Sequence, residues 1–166
     1  RRLLPAVLVV VPSVLALAVL AGWPATAFDE AAWDGVAVTT WWSNWRQALG
    51  GTGGYWGDTP SLFRHAWSLS VEEQFYAAWP LVFVAGAAAA RRWRRPPQVI
   101  IGVAAGAMAV LSAGWSIALA HRVSEADLSR VYLGSDSRVF APLTGCLLAC
   151  LLHRRSDLTP FGRRTV

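Results

Sequence analysis

The chain has 166 residues, of which 55% are hydrophobic and only 15% charged. Soluble domains carry about 25% charged residues, so this composition excludes an ordinary soluble domain and indicates a membrane protein. The net charge of +5 comes from arginines clustered between apolar segments, a pattern that sets membrane orientation and not one that forms a nucleic-acid-binding face.

Four apolar segments stand out in chain order. The first runs from about Leu3 to Ala21. The second covers about Phe75 to Ala90 and becomes long enough to span only if its helix begins near Ser68. The third runs from about Val99 to Ala120, and the fourth from Val139 to Leu152 with a start near Ser135. The expected fold is all-α, a polytopic transmembrane bundle of about four spans. Residues 1–166 form one incomplete membrane-embedded domain. The opening Arg1-Arg2, without a preceding Met, reads as the inside of a longer protein.

Charge assigns the sides. Arg1 and Arg2 precede the first span, Arg91, Arg92, Arg94 and Arg95 follow the second, and Arg154 and Arg155 follow the fourth. Positive residues stay inside, and four alternating crossings satisfy every cluster. The long loop from Gly22 to His65 then lies outside, and its Trp-rich part, Trp33 to Leu49, suits an interfacial helix. Asp58-Thr59-Pro60-Ser61 carries helix-start chemistry. Cys146 and Cys150 sit one helical turn apart, which suits neither a disulfide nor a zinc set, and no metal site is expected.

Two polar clusters lie at the outer mouths of spans. The first is His65-Ala66-Trp67-Ser68-Leu69-Ser70-Val71-Glu72-Glu73-Gln74-Phe75-Tyr76. On a single helix, His65, Ser68, Glu72, Phe75 and Trp79 share one sector. Ser70-x-x-Glu73 also fits a capping box, so plain helix capping competes with function. The second cluster is Gly134-Ser135-Asp136-Ser137-Arg138, with Ser135 as N-cap and Asp136 in the first turn. Arg138 opposes the positive end of its helix and calls for an acidic partner, Glu72 or Glu73, or an anionic ligand, unless it snorkels to the headgroups. A Ser68 nucleophile with His65 as base is a weaker alternative.

At these residues the chain resembles the acyltransferase 3 family of polytopic membrane acyltransferases. The matching pieces are His65 to Tyr76 with Trp79-Pro80, then Gly134 to Arg138, Asn44-Trp45, and the opening Arg1-Arg2-Leu3-Leu4-Pro5. The resemblance implies transfer of an acyl group, commonly acetyl, from acyl-CoA inside to a hydroxyl of an outer glycan or lipid-linked sugar. It implies no bound cofactor and a multi-pass location in the cell membrane. Glu72, Arg138 and Asp136 are then the expected catalytic residues. His65, Trp67, Ser68, Glu73, Gln74, Arg1 and Arg2 are the expected substrate-binding residues, the two arginines toward acyl-CoA. The span carrying the family's catalytic Arg and His has no counterpart here, so the piece is expected to be inactive alone. A transporter or flippase is the alternative, because intramembrane carboxylates and arginines serve such pathways too.

Overall fold

In the computed structural model, residues 3–50, 61–122 and 128–156 are described, with side chains to His153. Arg1, Arg2, Asp58, Thr59 and Pro60, and the side chains of Arg154 and Arg155, lie outside the described residues, and so do the expectations placed on them. The elements in order are α1 (Leu3–Leu20), α2 (Ala25–Thr39), α3 (Ser43–Ala48), a 3-10 turn (Arg64–Ala66), α4 (Trp67–Trp93), α5 (Pro97–Ala120), α6 (Leu128–Leu133), α7 (Ser135–Arg138) and α8 (Phe140–Ser156). Among the described residues there is no strand, in keeping with the all-α expectation.

Among the described residues, three helical stretches are long and apolar enough to cross a membrane: Leu3–Leu20, Pro97–Ala120 and Ser135–His153. Their bounds match the apolar runs within a few residues, and the last begins at Ser135 as the sequence predicts. The second expected span, α4, has 27 residues and runs unbroken through Pro80, a length of about 40 Å. It is not apolar enough to join the other three. Glu72, Glu73, Arg91 and Arg92 fall within it, and Trp, Tyr and Pro occupy its middle.

The Trp-rich stretch is two helices where the sequence suggested one. Hydroxyls of Thr39 and Thr40 bond back to carbonyls three or four residues earlier, and such back-bonding competes with helix propagation. Trp41 then takes φ of 61°, a left-handed conformation uncommon for any residue but glycine and rarer still for a bulky one.

The chain forms two compact units, one from Arg1–Gln74 with Leu119–Ser135, the other from Phe75–Ala118 with Asp136–Val166. In the first, α1 packs on α2, and Val7, Val11, Val38 and Phe63 form its apolar cluster. Gly35 lets α1 approach α2 closely, since a Cβ there would lie 2.7 Å from Val11 Cγ1. In the second, Phe75 of α4, Ala105 and Ala109 of α5, and Leu143 of α8 form the cluster. Small residues set that packing too: a Cβ on Gly86 would lie 2.8 Å from Ile101 Cγ1. Cys146 and Cys150 are free thiols.

Candidate functional site

The six-residue helix α3 buries Ser43, Asn44 and Gln47, which one face of a helix presents together. These are polar groups in an interior, where each must find partners or cost free energy. Asn44 is fully buried. Its Nδ2 donates to the Leu133 carbonyl at 3.0 Å and to Ser135 Oγ at 2.9 Å. Its Oδ1 accepts from Gln74 Nε2 at 3.0 Å. Gln74 Nε2 also donates to the Trp41 carbonyl at 2.6 Å, and Ser135 Oγ donates to Gln74 Oε1. Asn44, Gln74 and Ser135 thus close a ring of hydrogen bonds in which each side chain both gives and accepts, and both amide N–H pairs are fully used. One turn before Gln74, Ser70 is buried, with its Oγ 2.9 Å from Ser43 Oγ.

A charged cluster flanks this face. Arg46 Nε donates to Asp34 Oδ1 at 2.6 Å, and its Nη2 to Glu30 Oε2 at 2.7 Å. Asp34 is buried while Glu30 is exposed, so the Asp34 contact is the one the interior depends on. The Arg130 guanidinium lies 4.7 Å above the Trp45 ring, a cation–π contact. Trp67 and Tyr132 pack with ring centroids 4.9 Å apart. Gln47 Oε1 is buried and has no hydrogen-bond partner among the described residues.

The structure redistributes the predicted residues of the first motif. Ser70 and Gln74, four apart, form the face of α4 that bonds to α3. Glu72 lies between them, turned about 200° from Ser70, and is exposed. Glu73 and Ser68 are half-buried. Ser70 is no N-cap: α4 already begins at Trp67, and the Ser70 hydroxyl bonds Ser43, so the capping-box reading is corrected. His65 also leaves the shared helical sector, because it belongs to the preceding 3-10 turn and is exposed. No hydrogen bond joins His65 to Ser68.

The second motif divides between the units after Ser135. The Ser135 hydroxyl serves the amide ring and not its own helix start. In the second unit, Asp136 Oδ2 accepts from Trp115 Nε1 at 2.7 Å, and its Oδ1 from the Ser137 amide at 3.0 Å. Ser112 Oγ donates to the Asp136 carbonyl at 2.6 Å. Asp136, Ser112 and Trp115 form the polar end of a cavity of about 380 Å³ whose other walls include Phe75, Trp79 and Met108. Arg138 is half-buried.

Sequence reasoning alone passed over the ring's centre. Asn44 entered only through the Asn44-Trp45 resemblance, and Ser135 only as a cap and as part of the Gly134 to Arg138 motif. Asp34 and Arg46 gave no local sign of pairing beyond being charged within a Trp-rich stretch.

The helices and these motifs resemble a segment of the acyltransferase 3 family, and the chain is similar to proteins named as O-acetyltransferases. The chain is 38% identical over 112 residues to the peptidoglycan O-acetyltransferase OatA of Listeria monocytogenes, a match covering 64% of this chain and 16% of that protein. It is 36% identical over 91 residues to the putative peptidoglycan O-acetyltransferase YrhL of Bacillus subtilis, 55% of this chain and 13% of that one. Against the O-acetyltransferase OatA of Staphylococcus aureus it is 31% identical over 149 residues, 90% of this chain and 23% of that protein. The chain therefore corresponds to less than a quarter of these relatives' length. No family model matches it, and no solved structure matches it.

Proposed function

We propose that the chain is part of the membrane-embedded portion of an O-acyltransferase of the bacterial cytoplasmic membrane. The reaction moves an acetyl group from acyl-CoA, supplied on the inner side, to a hydroxyl of an extracytoplasmic glycan, with peptidoglycan as the acceptor. The observation that carries this reading is the 38% identity over 112 residues to a protein named for peptidoglycan O-acetylation.

In such a transfer the acceptor oxygen bonds to the acetyl carbon and loses its proton, and the thioester C–S bond breaks, releasing the CoA thiol. A base must take the proton, and donors must meet the carbonyl oxygen as it gains charge. Glu72 is assigned to orient or deprotonate the acceptor or an intervening group, and its exposure leaves the carboxylate accessible for that task. Arg138 with Asp136 is assigned to hold an anionic or carbonyl oxygen. Arg1 and Arg2 are assigned to the phosphates of acyl-CoA. His65, Trp67, Ser68 and Glu73 are assigned to the acceptor.

The test is the full-length protein in a bacterial strain whose own peptidoglycan O-acetylation has been deleted. Base-labile acetate in purified cell wall is the readout. Wild-type protein restores it, and Glu72→Gln at equal membrane abundance drops it by about 10²-fold or more. Full acetylation by Glu72→Gln removes Glu72 from the mechanism. Absence of ester with wild-type protein, together with substrate movement across vesicles, selects the transporter alternative.

A further inference from the structure

The hydrogen-bonded ring of Asn44, Gln74 and Ser135 has a property that its members do not have singly. Gln74 Nε2 gives to Asn44 Oδ1, Asn44 Nδ2 gives to Ser135 Oγ, and Ser135 Oγ gives to Gln74 Oε1. All three bonds run in one direction around the ring, so each polarises the next. The two remaining amide protons leave the ring to backbone carbonyls, those of Leu133 and Trp41. Flipping either amide would set donor against donor and oxygen against oxygen, so the ring admits one orientation of each side chain.

The members come from three places in the chain, separated by 30, 61 and 91 positions. Gln74 directly follows Glu72-Glu73, and Ser135 directly precedes Asp136-Ser137-Arg138. The backbone that receives the ring's fourth bond is itself unusual, since Trp41 holds its left-handed φ of 61°. Unusual backbone persists where surrounding contacts over-determine it, and such residues cluster at functional sites.

We infer that Asn44, through this closed ring with Gln74 and Ser135, is a positioning residue for acyl transfer. The ring fixes the turn of α4 that carries Glu72 and Glu73 to α3 and to the turn at Ser135, and it sets the orientation of Glu72 and Glu73 before substrate arrives. This inference rests on the acyltransferase reading. Gln74 belongs to the same device: both its amide protons are spent inside the protein, so it acts through the ring and not as a donor to substrate.

The experiment uses full-length protein in membranes with acetyl-CoA and a soluble glycan acceptor, measuring kcat and KM for each substrate beside the melting temperature. Asn44→Ala and Gln74→Ala each lower kcat by about 10- to 100-fold, the scale of a small misplacement of reacting groups, with both KM values within about twofold of wild type. The double variant is no slower than the worse single one, because either change opens the same ring. Ser135→Ala lowers kcat, and Ser135→Thr, which keeps the hydroxyl, restores most of it. If the Asn44 and Gln74 alanine variants fail to accumulate, the Ser135 pair and Gln74→Glu decide the question, since Gln74→Glu keeps the shape but removes both N–H donors. Loss of melting temperature with unchanged kcat per folded molecule, or multiplying losses in the double variant, overturns the positioning role while leaving the acyltransferase reading intact. An inactive wild-type protein instead removes the reading on which the inference stands.

Discussion

The interiors of the two units are built from different materials. In the first, Asp34, Ser43, Asn44, Gln47, Ser70 and Ser129 are buried alongside Val7, Val11, Val38 and Phe63. In the second, the buried cluster is Phe75, Ala105, Ala109 and Leu143, with glycines permitting close helix approach, and the buried polar residues are fewer, Ser112 and Ser137. A polar interior is specified by direction, because each donor must meet an acceptor. An apolar helix interface in a membrane is specified by shape, because lipid tails are as apolar as the side chains and only close packing discriminates. Each unit has a non-glycine residue at positive φ among the described residues, Trp41 in the first and Arg94 in the second, while the second holds most of two of the three apolar spans.

That contrast breaks if the same kind of substitution damages both units equally. The largest effect is expected at the buried charge. Arg46→Met leaves the Asp34 carboxylate buried without its partner, costing about 2–3 kcal/mol, read as a lowered melting temperature of full-length protein in detergent. Arg46→Lys recovers only part, since a point charge cannot reach Asp34 and Glu30 through a planar fork. A smaller loss belongs to the second unit. Gly86→Ala forces Ile101 aside and costs about 1–2 kcal/mol, whereas Gly114→Ala, with open space around it, changes the melting temperature little. The smallest effect has the opposite sign. Gln47→Leu removes the one buried side-chain oxygen found without a partner among the described residues, and the melting temperature stays level or rises by the equivalent of about 1 kcal/mol. A large loss there would mean that Gln47 has a partner beyond the described residues.

Much of the architecture was legible in the chain. Leu3–Leu20 and Pro97–Ala120 are near-continuous apolar runs, and their ends follow from where polar residues and Pro intervene. The start of the last span at Ser135 followed from the Ser-Asp pair. The helix through Trp67–Trp93 was placed correctly, but its buried polar face was not. Sector arithmetic favoured Glu72, and packing selected Ser70 and Gln74 two residues to either side. The break at Trp41 is hard to read because no Gly or Pro marks it; the local sign is the Thr39-Thr40 pair, whose hydroxyls bond back to the preceding turn.

Composition and periodicity are properties of neighbouring residues, so the sequence by itself determined which segments are helical, which are apolar enough for lipid, and where the two polar motifs lie. Tertiary structure alone decided that Asn44 meets Gln74 and Ser135 across separations of 30 and 91 positions, and that Asp34 is buried against Arg46. The reason is that a hydrogen bond depends on the direction and distance of two groups in space, and no local pattern encodes a partner three helices away.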